Sequence, residues 1–188
     1  RLGRPGAGPL LSRPAGLAWR STRGAVLGWL LGSVIWVALL GLMTDDFTNT
    51  IAANPNLLAA LGGKADDLAP QIGLLLTSVM ATAAGLTVTL RIASEESRAR
   101  LGLLLSGRIN RWGWWLGWNG LALFVTALVL LLSAATLGLC QWWATGDPAA
   151  LGDDLAAGSA FLAPAVAMVG FGSLLIGVAP QLGFLSWG

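Results

Sequence analysis

Where charge is missing constrains this chain more than anything else in it. Four stretches hold no Asp, Glu, Lys or Arg: residues 24–44, 68–90, 112–146 and 155–188. About 20 apolar residues at a rise of about 1.5 Å cross a hydrocarbon core of about 30 Å, so each stretch is long enough to span a bilayer. Charged residues make up 11% of the 188, where soluble domains carry roughly 25%, and mean hydropathy is +0.72. With no water to satisfy its backbone, such a segment crosses as a helix. The sequence predicts an all-α integral membrane protein, a multispan helical bundle.

The two longest stretches need dividing. Residues 112–146 read as one span, about 116–138, because tryptophans mark both ends: Trp112, Trp114, Trp115 and Trp118, then Trp142 and Trp143. Tryptophan favours the membrane–water interface. In the last stretch Pro180 follows about 22 mainly apolar residues, which predicts a span at 158–179 and a turn at Ala179-Pro180-Gln181. The expected spans are therefore 24–43, 68–90, 116–138 and 158–179, with the start of another at 182–188. The chain begins without Met and stops within that last segment, so it reads as a fragment. Residues 1–23 are no signal peptide, since Arg13, Arg20 and Arg23 interrupt any apolar core.

Charge sorts by sign between the connecting segments. Arg1, Arg4, Arg13, Arg20 and Arg23 precede the first span, and Arg91, Arg98, Arg100, Arg108 and Arg111 follow the second. The opposite loops hold Asp45, Asp46, Asp66, Asp67, Asp147, Asp153 and Asp154, with Lys64 their single cation. By the positive-inside rule the arginine side is cytoplasmic. Residues 91–111 then form a cytoplasmic loop with internal order. Glu96 and Arg100 are four apart and Glu95 and Arg98 three apart, both helical spacings, while Ile92, Ala99 and Leu103 form an apolar stripe. Upstream, Leu10, Leu11 and Leu17 beside Arg13 and Arg20 suggest an amphipathic helix on the inner leaflet. The outer stretch NPNLLAALGG reads as a short helix bounded by Pro55 and Gly62-Gly63, capping the path between the spans. The pairs Asp45-Asp46 and Asp66-Asp67 could bind a divalent cation but read as solvated loop residues.

The polar residues within the spans are mild: Ser78, Thr82, Thr87, Thr89, Asn119, Thr126 and Ser173. They read as interhelical hydrogen-bonding groups, and Gly28 with Gly32 as a close-packing pair. No His or Tyr occurs and Cys140 is alone, which removes common metal sites and any Ser–His or Cys–His nucleophile pair. Cys140 reads as a small apolar packing residue. No ionisable residue lies in an expected span, so coupling to an ion gradient finds no support.

The stretch RIASEESRARLGLLLSGRINRWGWW, residues 91–115, resembles the loop of ABC-2 type transporter permeases, especially the actinobacterial group of polyketide antibiotic exporters, whose pattern runs roughly EExxGRxELLLxxPxSRxxW. Glu95 and Glu96 match the acidic pair, Arg100 the arginine, Leu103, Leu104 and Leu105 the leucines, and Arg111 the arginine closing the turn. Trp115 stands near the aromatic. Ala99 replaces the usual glycine, Gly102 a second acid, and Arg108 lies near the usual proline. GPLLSRPAGLAWRSTRGAVLGWLLG, residues 8–32, is similar to the elbow helix and first span of such permeases, and LLAALGG, residues 57–63, to their outer loop.

The resemblance implies a domain plan: residues 1–23 as cytoplasmic linker and elbow helix, and 24–188 as part of a transmembrane domain with a coupling loop at 91–111. It implies a permease subunit moving hydrophobic or amphipathic, drug-like compounds out of the cell. A cytoplasmic ABC ATPase subunit would dock on Ile92–Leu105 through Glu95, Glu96, Arg100, Leu103, Leu104, Leu105 and Arg111. No GxxxxGK[ST] loop is present, so nucleotide would bind another chain. The implied partners are that ATPase, membrane lipid, the substrate and a second permease half, fused or dimeric, with no nucleic acid, cofactor or metal. The implied place is the cell membrane, multi-pass, with the N-terminal end cytoplasmic. A non-transporting multispan scaffold is the alternative reading of the same residues.

Overall fold

The computed structural model describes residues 14–60, 68–97 and 111–178. They form seven helices: α1 Pro14–Leu42, α2 Thr44–Ala52, α3 Pro55–Ala60, α4 Leu68–Ser97, α5 Arg111–Thr145, α6 Ala149–Ala160 and α7 Leu162–Val178. No strand occurs among the described residues. Four segments are long and apolar enough to cross a membrane: Ala18–Leu42, Pro70–Arg91, Gly113–Thr145 and Ala149–Ile176. The all-helical, multispan architecture expected from the sequence is the one observed.

Helix α1 runs without interruption through Gly24, where the sequence reading divides elbow from span. Pro14 sits in the first turn, where a missing N–H costs nothing. The glycines at 24, 28 and 32 each weaken a helix by about 1 kcal/mol but do not break it. At the other end α2 follows after Met43 alone, with Asp45 and Asp46 near its start, where the helix dipole favours negative charge. Helix α3 occupies part of the NPNLLAALGG stretch. Helix α5, 35 residues long, would measure about 52 Å, well beyond the hydrocarbon core.

The fourth crossing differs most from expectation. Residues 158–179 were to be one span, with Pro164 inside it. Instead α6 and α7 meet at Phe161, and the apolar segment begins at Ala149. Pro164 has no N–H to give to the carbonyl of Ala160, so the break falls one turn before it.

The helices alternate in direction. At one end Arg91 Nη1 donates to Ser21 O at 2.5 Å, joining the end of α4 to the start of α1, and Ser173 Oγ donates to Asn119 Oδ1, joining the end of α7 to the start of α5. At the other end the close approaches are through glycine. A Cβ on Gly41 would lie 2.7 Å from Cys140 Cβ, and one on Gly138 would lie 2.7 Å from Leu151 Cα. The core is built of small and branched side chains, with Val26, Ala81, Ala84, Val88, Ala122, Val125, Val129 and Val169 in one cluster and Val37, Leu74, Ala134 and Leu137 in another.

Candidate functional site

Alternating helices gather the charged positions at two ends. Arg20, Arg23, Arg91 and Arg111 share one end with Glu95 and Glu96; Asp45, Asp46, Asp147, Asp153 and Asp154 belong to the other. Of the expected docking residues, Glu95 and Glu96 fall in the last turn of α4 and Arg111 in the first turn of α5. Helix α4 runs unbroken from the span to the acidic pair, so the two carboxylates are mounted on the span's own rod. Arg100, Leu103, Leu104 and Leu105 lie outside the described residues.

Between the ends the polar side chains mostly serve their own helices. Thr77, Thr82, Thr87, Thr89 and Thr126 each donate to the carbonyl four residues earlier, at 2.7–3.0 Å. Two contacts join helices instead. Trp29 Nε1 donates to Thr87 Oγ1 at 3.2 Å, tying α1 to α4. The Ser173–Asn119 bond is buried, and Asn119 Nδ2 also donates to Trp115 O at 3.0 Å. Of the seven residues expected to bond between helices, Thr87, Asn119 and Ser173 do so, whereas Ser78, Thr82, Thr89 and Thr126 bond to their own helix, where a carbonyl three or four residues back is always within reach.

Three expectations are corrected. Trp114 and Trp118 are buried, 7% and 4% exposed, and meet at 6.2 Å between ring centroids, so they are core residues rather than interfacial anchors. Trp142 and Trp143 do face outward. Gly28 and Gly32 have nothing packed tightly on them; Gly41, Gly85, Gly138 and Gly158 make the close contacts. Asp154, expected in an outer loop, lies in α6 and is 6% exposed, and its Oδ2 has no hydrogen-bond partner. No group of three or more His, Cys, Asp or Glu placed to hold a metal occurs among the described residues.

One open recess is present on the side of the bundle. It lies between α4 and α7, has a volume of about 330 Å³, and is lined by Ser78, Val79, Thr82, Leu86, Pro164 and Met168 among others. It is uncharged and predominantly apolar. The sequence offered no signal for it, because it is made where two helices distant in the chain pack side by side.

Among the described residues the chain is a helical bundle without strands, with four segments long and apolar enough to cross a membrane, which makes it a multi-pass membrane protein. Residues 11–188 match the family model described as multidrug efflux system permease Rv1217c, C-terminal domain, and the chain belongs to that family. It is also 29% identical over 194 residues to the multidrug efflux system permease protein Rv1217c of Mycobacterium tuberculosis. That alignment covers 98% of this chain and 35% of the relative, so the chain spans about a third of the relative's length.

Proposed function

We propose that this chain is part of the membrane-embedded permease of an ATP-driven exporter of the ABC-2 type, moving hydrophobic or amphipathic compounds out of the cell. The observation that carries the reading is the family match over residues 11–188 to a multidrug efflux permease domain. The chemistry agrees with it. A lateral recess without charge suits an apolar cargo rather than an ion, and the chain carries no nucleotide-binding loop of its own. ATP is hydrolysed on a separate cytoplasmic subunit.

Residues 1–23 serve as the cytoplasmic linker and lead-in of α1, with Arg20 and Arg23 meeting the anionic inner leaflet, and 24–188 as part of the transmembrane domain. The arginine end is cytoplasmic by the positive-inside rule. The ATPase docks there on 91–111, through Glu95, Glu96, Arg100, Leu103, Leu104, Leu105 and Arg111. The rod of α4 supports this reading, since a push on Glu95 and Glu96 passes straight into the span lining the recess.

The test is charge reversal in the full-length permease. Glu95→Arg with Glu96→Arg places like charges against a cationic ATPase patch, which costs several kcal/mol at an interface. Membrane insertion should be unchanged, because the arginines that set orientation remain. Co-purification of the ATPase and substrate-stimulated hydrolysis should both be lost. A double variant that keeps its ATPase and exports normally removes the loop from the coupling role.

A further inference from the structure

The recess between α4 and α7 has a hydrogen-bonding character of one sign. Two hydroxyls line it, and both have spent their proton on their own helix: Ser78 Oγ donates to Leu75 O at 2.7 Å and Thr82 Oγ1 donates to Ser78 O at 2.7 Å. A hydroxyl carries one donor and two acceptor lone pairs, so what remains facing the recess is acceptor only. Pro164, opposite them, has no N–H to offer. The floor is apolar, with Leu86 and Ala165 5% and 3% exposed, and the rim is formed by Val79 and Met168, each more than half exposed.

We propose that this recess binds an uncharged, apolar small molecule bearing a hydrogen-bond donor, which reaches it sideways from the lipid. The proposal rests on the exporter reading above and names the chemical class that the recess selects. In hydrocarbon an unpaired O–H or N–H is costly, so a molecule carrying one gains by moving against Ser78 and Thr82. A molecule carrying only carbonyl or ether oxygens finds no donor there and gains nothing of the kind. Methionine at the rim, unbranched and polarisable, accommodates varied apolar bodies.

The dimensions favour a small molecule over another helix. The lining covers Ser78 to Leu86 on α4, about 12 Å, and Pro164 to Met168 on α7, about 6 Å, whereas a spanning helix needs a seat about 30 Å long. The volume of about 330 Å³ falls at the small end of ligand sites.

Full-length permease in phosphatidylcholine–phosphatidylglycerol liposomes is photolabelled with a diazirine-bearing naphthol and, separately, with its methyl ether, which differs only in lacking the O–H. The naphthol is expected to label the segments Ser78–Leu86 and Pro164–Met168 about fivefold more than the ether, the ratio that one hydrogen bond provides. Ser78→Ala with Thr82→Val should bring the ratio close to one. Thr82→Ser, which keeps the acceptor, should preserve it. Ala83→Trp, which fills the recess, should abolish labelling by both probes. Equal labelling of the wild type overturns the proposal, as does a preference that survives Ser78→Ala with Thr82→Val. Absence of label from both segments also overturns it, since another part of the longer protein then covers the recess. ATP-dependent export is measured in parallel with the ATPase present. Export that continues with an unlabelled recess sinks this proposal alone, and labelling without any ATP-dependent export sinks the exporter reading alone.

Discussion

The inner pair of crossing segments and the outer pair are made of similar residues and buried to very different extents. In α4 and α5 the shares buried inside the bundle are 50% and 44%, against 22% in α1 and 28% in the α6–α7 segment. Hydropathy does not follow this order. The α4 segment has the lowest value, 1.7, and is the most buried; α1, at 2.2, is the least. In water the reverse would hold. In lipid the tails are as apolar as leucine, so a central position goes to the helix that packs closely and can bond its neighbours. Helix α4 has that character, with Ala81, Ala84, Gly85, Thr77 and Thr89 buried, while α1 turns Leu27, Leu31, Ile35 and Leu39 outward.

That contrast can be broken most severely at Gly138. A Cβ there meets the backbone of Ala150 and Leu151, which cannot step aside as a side chain would. Gly138→Val should cost about 3 kcal/mol or more, read as a collapse of the thermal unfolding midpoint in detergent. A mild effect would mean that α6 is not held against α5 as described. The next largest effect is expected at Asp154, whose buried carboxylate lacks a partner on Oδ2. Asp154→Asn should stabilise by about 1–3 kcal/mol by removing a buried charge. A loss of stability there would assign that oxygen a cationic partner outside the described residues.

Smaller still is the coupling across the buried Asn119–Ser173 bond. A double-mutant cycle of Asn119→Ala and Ser173→Ala, followed by unfolding in mixed micelles, should return about 0.6–1 kcal/mol, the usual size within membranes. A value of zero would make α7 a helix held by shape alone. The smallest effect belongs to Gly28, with nothing within 4 Å. Gly28→Ser, which recovers only part of the roughly 1 kcal/mol that glycine costs the helix, should raise stability by no more than about 0.5 kcal/mol. A large loss would sharpen the comparison by showing that the open face of α1 is covered by a further helix in the membrane.

What could be read from sequence divides along the same line. The existence of four crossings followed from uncharged length alone, and the separation of basic from acidic ends followed from composition between them. The inward faces did not follow. Helices α1, α5 and α7 are apolar on every side, so a 3.6-residue period carries no information about which residues meet. The preference of tryptophan for the interface points Trp114 and Trp118 there, whereas the bundle buries them, and the recess made by Ser78, Thr82, Pro164 and Met168 has no linear signature. Gly28-Gly32 had the spacing of a packing pair, whereas the working contacts are made by isolated glycines, Gly41, Gly85, Gly138 and Gly158, each matched to one neighbour. Asp154 looked like its neighbour Asp153; only the seating of α6 on α5 separates them.

The junction at Phe161 has a mechanical meaning. A continuous helix is stiff because each turn is bonded to the next, and the discontinuity before Pro164 concentrates compliance at a single point of the fourth crossing. Helix α6 is thereby a lever about 18 Å long pivoting at Phe161, and a rotation of about 10° would carry its far tip about 3 Å. Two backbone bonds still cross the joint, Phe161 N to Gly158 O at 3.1 Å and Ala165 N to Phe161 O at 3.2 Å, and the glycine contacts at 138 and 158 add to the resistance against such a rotation. The stiffness of this arm is therefore shared between the joint and the neighbouring helix α5, and a methyl group added at Gly138 would alter the arm's rest position from outside the pivot.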